Sequence, residues 1–199
     1  MNYLWLTLSW VIYFAIHSIS ATAAVKKVFY RIGMAPSTYR LLYNLFSVLL
    51  LLPILYITLT ISPKFVFTGG KFTQFVGLVF ATWGLIIVKL AFKSYNTREF
   101  LGFAPPSQEP QLKTDGLLRQ IRHPLYSGSM LVLIGYFFFH PTYNTLLSVS
   151  MMIIYFVVGS LFEERKLIQE FGEDYIKYRK STPMFIPHLG KRQKKSPEN

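Results

Sequence analysis

Residues 41–61 read LLYNLFSVLLLLPILYITLTI and contain no charged residue. A helix needs about 20 apolar residues to cross the roughly 30 Å of hydrocarbon in a bilayer, so this stretch reads as a membrane-spanning helix. Working outward, Tyr3 to Ala24 is also uncharged, and Phe72 to Phe92 carries only Lys89, close to one end. A fourth apolar run follows Pro124 and reaches Phe139, and a fifth goes from about Tyr143 to Phe162. In a chain of 199 residues that is 52% apolar and only 15% charged, five such runs leave too little polar sequence to cover them with water-facing surface. The expectation is an all-α integral membrane protein with about five transmembrane helices. The fourth run is the short one, since a 16-residue helix rises only about 24 Å.

The first run ends in Ala21-Thr22-Ala23, small residues of the kind found at a signal-peptide cleavage site. Its flanks point the other way: no Lys or Arg precedes it, whereas Lys26 and Lys27 follow, so it reads as a retained helix. Eighteen of the 21 Lys and Arg residues fall in the first and third loops and after Phe162, against Lys64 and Lys71 on the other side and Lys89 within a run. The positive-inside bias places the C-terminus in the cytoplasm and Met1 outside. It also accounts for the net charge of +12 without a nucleic-acid partner; the expected partner is the lipid bilayer. With no cysteine, a thiolate zinc site and a cysteine nucleophile are excluded. His17, His123, His140 and His188 have no helical pair spacing, so no metal site is expected.

Beyond Phe162, Leu167, Ile168, Phe171, Tyr175, Ile176 and Tyr178 alternate with Glu, Lys and Arg at helical spacing, which predicts an amphipathic cytoplasmic helix, with Gly172 as a break point. The organisation expected is one membrane domain over 1–189 and a basic flexible tail over 190–199. Chemistry should border the long loop between Tyr95 and Arg122, punctuated by Pro105, Pro106, Pro110 and Asp115-Gly116.

Two elements stand out there. In Arg122-His123-Pro124-Leu125-Tyr126-Ser127-Gly128, Pro124 suits the first helical position, which makes His123 the N-cap of the fourth run. Helix N-termini offer unpaired N–H groups to anions; Arg122 can grip a carboxylate or phosphate, Tyr126 lies one turn below His123, and Gly128 admits a close approach to the backbone. The same residues would also serve as a polar cap at the headgroup interface. The second element, Glu163-Glu164, puts two carboxylates at the negative end of the fifth helix, where they need a cationic partner. Because only His140 to Asn144 join the fourth and fifth runs, both elements come to one end of an antiparallel hairpin. Together they offer donors for a ligand carboxylate and acceptors for an ammonium, as a zwitterionic amino acid requires.

The pattern Arg122-His123-Pro124-x-Tyr126-x-Gly128, Glu163-Glu164-x-x-Leu167, Phe171-Gly172-x-x-Tyr175-x-x-Tyr178 and Pro183-x-x-Ile186-Pro187 resembles the membrane-embedded methyltransferase superfamily of isoprenylcysteine carboxyl methyltransferases and phospholipid methyltransferases. Toward the N-terminus, His17-Ser18 and Tyr39-Arg40-Leu41-Leu42-Tyr43-Asn44 resemble the branch containing methanethiol S-methyltransferases, NnrU-type proteins and nurim. The resemblance implies S-adenosylmethionine as cofactor, held in about 95–187 by Arg122, His123, Pro124, Tyr126, Gly128, Glu163 and Glu164, and an acceptor arriving through the bilayer. It also implies a bacterial inner-membrane location. Isoprenylcysteine methyltransferases carry an Arg four residues before the paired glutamates; Gly159 stands there in this chain, which favours a thiol over a carboxylate acceptor. No catalytic base is assigned. A non-catalytic nurim-like role and an NADPH-dependent sterol-type reductase are the competing readings.

Overall fold

A computed structural model describes residues 2–105 and 111–188. Pro106, Pro110 and the expected tail over 190–199 lie outside the described residues. Eight α-helices occur among them: α1 (Asn2–Ser20), α2 (Ala23–Arg31), α3 (Pro36–Leu49), α4 (Leu51–Thr60), α5 (Lys71–Phe92), α6 (Thr97–Leu101), α7 (Pro124–Phe139) and α8 (Tyr143–Ser181). A 3-10 turn at Gly116–Arg119 precedes α7, and no strand forms among the described residues.

The apolar runs are the long helices. Asn2–Ser20, Pro36–Thr60, Lys71–Phe92 and Tyr143–Ser181 are long and apolar enough to cross a membrane, and Pro124–Phe139 is shorter. Their outward faces carry large apolar side chains, among them Leu59 at 84% and Phe72 at 78% exposed. A monomer in water rarely displays such a surface, whereas hydrocarbon accepts it at no cost. What packs inside is small: Leu6 and Trp10 of α1 meet Ile54 of α4 and Ile61, with Leu147 and Met151 of α8 against them.

Two sequence boundaries shift. The first run was expected to continue to Ala24, but α1 ends at Ser20 and a separate helix begins at Ala23, because the Thr22 side chain accepts from the Val25 N–H and caps α2. The second run was expected from Leu41; α3 starts at Pro36, a residue preset for the first helical turn, and continues through Leu50 into α4.

α5 and α7 form the tightest pair. A Cβ placed on Gly84 would sit 2.6 Å from the Gly128 carbonyl oxygen, and one on Gly77 would sit 2.6 Å from that of Gly135. Each helix repeats its glycine after seven residues, two helical turns, so the backbones lie in contact along a seam of small residues. α7 and α8 are joined by a tight turn in which Thr142 caps α8 by accepting from the Thr145 N–H. α8 then runs without a break past Phe162 and kinks at Gly172 (φ 54, ψ −129), a conformation that side chains rarely adopt. Beyond the kink the chain turns back on the start of α7.

Candidate functional site

Asp115-Gly116 starts the 3-10 turn, the chain leaves it at Gln120, and Pro124 sets the first turn of α7. His123 is the N-cap residue, but its side chain makes no cap bond and is buried, turned toward α8. The returning chain after α8 clasps this segment: the Arg122 N–H donates to the Pro183 carbonyl at 2.9 Å and the His123 N–H to that of Met184 at 3.1 Å. Ser127 Oγ donates to the Phe185 carbonyl at 2.8 Å.

The paired glutamates have different environments. Glu164 is buried and receives Arg122 Nε–H and a second guanidinium nitrogen, each at 2.7 Å on Oε1. His123 Nε2 stands 3.2 Å from the same oxygen, and Arg179 Nε lies 3.1 Å from Oε2. Arg122 Nη1 donates to the carbonyls of Arg179 and Thr182. Glu164 is therefore the hub that ties the start of α7 to α8 on both sides of its kink, and Arg122 extends the tie to Thr182. Glu163 is about half exposed, with its Oε2 3.8 Å from His123 Nδ1, too long for a hydrogen bond.

A cavity of about 670 Å³ opens beside Glu163, lined by Arg40 of α3, Tyr95, Lys113, Arg122, His123, Glu163 and Tyr175, with Leu118, Leu167 and Phe171 as apolar wall. Of the residues expected to hold a ligand, Arg122, His123 and Glu163 face it. Glu164 is absent from its wall and serves the ion-pair hub. Pro124 is fully buried at the start of α7. Tyr126 rests on His123, ring centroids 5.6 Å apart, and on Phe156 at 5.5 Å, with its hydroxyl directed at Glu163. The close approach that Gly128 permits is that of the α5 backbone.

Burial lowers the His123 pKa, against the opposing pull of Glu163 and Glu164, and keeps the ring neutral. A neutral ring that donates from Nε2 to Glu164 leaves its Nδ1 lone pair toward Glu163. Tyr95 is pushed up to about 12, first by burial and then by the Glu163 charge. Negative potential thus gathers at Glu163, on the cavity side. Three residues of the site, Tyr95, Lys113 and Arg179, carry no motif of their own, and Arg40 entered the sequence reading only within the N-terminal pattern Tyr39-Arg40-Leu41-Leu42-Tyr43-Asn44. Arg179 stands 15 positions from Glu164 and reaches it only because of the Gly172 kink. No group of His, Asp and Glu side chains with metal-binding geometry occurs among the described residues.

These helices form an all-α membrane bundle with a polar, carboxylate-bearing cavity at one end of the α7–α8 hairpin. The chain belongs to the phospholipid methyltransferase family, whose sequence model matches residues 72–174, more than half of the chain. It is 32% identical over 126 residues to a methanethiol S-methyltransferase of Crocosphaera subtropica, covering 59% of this chain and 48% of that protein. A methanethiol S-methyltransferase of Pseudomonas deceptionensis is 30% identical over 115 residues (54% and 42%). Methanethiol S-methyltransferase 1 of Bradyrhizobium diazoefficiens is 38% identical over 80 residues (39% and 27%). The chain spans half or less of the length of these relatives. No solved structure matches it.

Proposed function

We propose that the protein is an integral membrane methyltransferase that moves a methyl group from S-adenosylmethionine to a small apolar or lipidic acceptor, a thiol being favoured. The observation that carries this reading is the division of labour between the paired carboxylates. Glu164 is neutralised by Arg122 and Arg179, while Glu163 turns a charge to the cavity with no Lys or Arg bonded to it among the described residues.

The chemistry of the cavity suits the cofactor. A volume of about 670 Å³ lies within the range of roughly 300–1,000 Å³ usual for small-molecule sites. Glu163 offers an acceptor for an ammonium, Arg40 and Lys113 offer cations for a carboxylate, and Tyr95 and Phe171 offer aromatic faces to a cation or a purine. When bound, S-adenosylmethionine supplies a methyl group on a sulfonium, already electrophilic. What remains for the protein is to hold the acceptor lone pair in line and to exclude water. Tyr126 braces Glu163 from behind and rests on His123, and the clasp of Pro183 and Met184 fixes the Arg122–His123 backbone. A Cβ at Gly159, one turn toward the membrane from Glu163, meets nothing within 4 Å, and no cation stands at that position to neutralise a carboxylate acceptor. A thiol or a headgroup amine needs no such partner; the amine is the second reading because the family is named for phospholipid methylation.

The apolar helices that precede and follow it favour a site at the membrane surface. The distribution of Lys and Arg favours the cytoplasmic side for that surface and the bacterial relatives favour an inner membrane, the whole forming a single domain over 1–189. The test is calorimetric titration of the detergent-purified protein with S-adenosylhomocysteine and with NADPH, followed by transfer of labelled methyl to methanethiol, phosphatidylethanolamine and a farnesylated cysteine analogue. S-adenosylhomocysteine binding and thiol turnover are expected. Binding of NADPH alone would replace the reading with a reductase, binding of neither with a non-catalytic protein, and turnover of only the farnesylated carboxylate would remove the thiol.

A further inference from the structure

Between α1 and α3 the chain forms α2, a helix that contributes no buried residue. At 3.6 residues per turn, Ala24, Val25, Val28 and Phe29 fall on one side of it and Lys26, Lys27, Tyr30 and Arg31 on the other. Val28 is 58% exposed, and Ile32, which follows on the apolar side, is 73% exposed. The helix is nevertheless fastened in place. Thr22 caps its start, Phe29 and Tyr30 rest on Tyr39 of α3 with ring centroids 5.2 and 6.0 Å away, and the Tyr39 hydroxyl donates to the Ser20 carbonyl at 2.6 Å. Arg40, the next residue of α3, lines the cavity, so α2 lies at the end of the bundle that holds the candidate site.

The cations of α2 have no counter-charge. No Asp or Glu precedes Glu99 in the sequence, and none of Lys26, Lys27 and Arg31 enters an ion pair among the described residues. What reaches Lys26 from the neighbouring helices is more positive charge, Lys166 of α8 and Arg40 of α3. Burial first, and then these two cations, hold its ammonium below the ordinary lysine range. Like charges gathered in this way call for an anion, and the residues before Glu99 supply none. A helix that is apolar on one side, basic on the other and attached to the ends of spanning helices fits the boundary between headgroups and acyl chains. There its apolar side enters the chains and its cations meet phosphates.

We propose that α2 lies in the headgroup plane and binds anionic phospholipid, with Lys26, Lys27 and Arg31 around the lipid phosphates and Val28 and Ile32 among the acyl chains. The inference does not rest on the methyltransferase reading. Net charge selects the lipid. A zwitterionic headgroup such as that of phosphatidylcholine carries its own ammonium into a cluster that already repels cations, whereas phosphatidylglycerol brings a phosphate and neutral hydroxyls. Free phosphate shares the charge but has no chains for the apolar side. Lys166 adds to the attraction from α8, and the Tyr39 contact keeps the bound headgroup beside the residue that lines the cavity, Arg40.

For the test, the protein is purified in a neutral detergent, stripped of lipid and titrated with phosphatidylglycerol, phosphatidylcholine or inorganic phosphate while its melting temperature is followed. Phosphatidylglycerol should raise that temperature by binding the folded state, and the other two should leave it unchanged. In 1 M salt, where charges are screened beyond about 3 Å, the rise should be lost. Lys26→Gln combined with Lys27→Gln should increase the half-saturating phosphatidylglycerol concentration about 30-fold, at about fivefold per cation. Arg31→Gln, at an exposed position, should increase it about fivefold and carries the test if the paired substitution disturbs α2. Val28→Asn combined with Ile32→Asn should weaken the lipid with every charge still in place. Lys64→Gln combined with Lys71→Gln removes the same charge at the other end of the bundle and should leave the lipid at its wild-type affinity. An equal rise with phosphatidylcholine would overturn the inference, as would inorganic phosphate acting as well as the lipid. Equal losses in the two double-lysine variants would also overturn it, reducing the effect to the general attraction of a chain with net charge +12.

Discussion

Replacing each carboxylate of the pair by its amide separates binding from folding. In Glu164→Gln the shape is kept, but Arg122, whose side chain is only 9% exposed, loses the charge that two of its nitrogens share at 2.7 Å. A neutral amide oxygen and the carbonyls of Arg179 and Thr182 then remain to it, with no counter-charge from residue 164. Breaking a buried pair from one side costs about 3–5 kcal/mol, because the surviving charge stays buried without compensation. At about 2–4 °C per kcal/mol for a chain of this size, melting in detergent should fall by roughly 10 °C. Glu163→Gln leaves a half-exposed position without an ion pair to break, so its melting temperature should match the wild type. Its loss appears in ligand binding, where one charge-assisted hydrogen bond is worth about 1.5–3 kcal/mol, a roughly 10- to 150-fold weaker affinity for S-adenosylhomocysteine. Differential scanning fluorimetry and isothermal titration on the same preparations measure the two effects. Glu163→Gln that binds as wild type, or Glu164→Gln that melts as wild type, would refute the assignment of the two glutamates.

Gly84→Ala drives a methyl group to 2.6 Å from the Gly128 oxygen and 2.7 Å from the Val132 nitrogen, so α5 and α7 must part by nearly an ångström, at about 1–3 kcal/mol; a lowered detergent melting temperature, absent in Gly159→Ala, checks it. The His123 pKa is lowered in the folded protein, so the unfolded chain binds the extra proton first. Stability conferred by the neutral ring is present above the ordinary value of about 6.5 and lost as pH falls from there through the folded pKa; melting should decline over that window, with a flatter profile in His123→Gln. Reporter fusions at Asn199 and within the loop of residues 63–71 should give opposite signals, Asn199 being cytoplasmic; equal signals would refute the orientation.

The long helices were legible because hydrocarbon imposes one rule on every residue of a span, and Pro124 and His140 bound α7 at the expected positions. α2 was hidden for a local reason: Thr22 within an uncharged stretch reads as continuation, whereas its hydroxyl in fact caps a new helix. The meeting of His123 with Glu164 followed from the short α7–α8 turn. Which glutamate faces the cavity did not, since adjacent helical residues point about 100° apart and the choice depends on Arg179 arriving around the Gly172 kink. Gly128 was visible as a close approach; its seven-residue spacing to Gly135, matched by Gly77 and Gly84, is the signal that assigns the approach to a helix.

The clasp of Pro183 and Met184 on Arg122 and His123 has a consequence for biosynthesis. Apolar helices enter the bilayer in the order in which the ribosome delivers them, so α1 through α7 and the apolar half of α8 leave the ribosome before the last acceptors do. Until those carbonyls emerge, the N–H groups at the mouth of α7 have only water to bond, and Ser127 lacks its Phe185 partner. A chain ending at Ser181 holds every membrane helix and the cations around Glu164, yet lacks the carbonyls that clasp Arg122, His123 and Ser127. Insertion and maturation of the site are therefore separate events, and the second waits on residues that never enter the lipid.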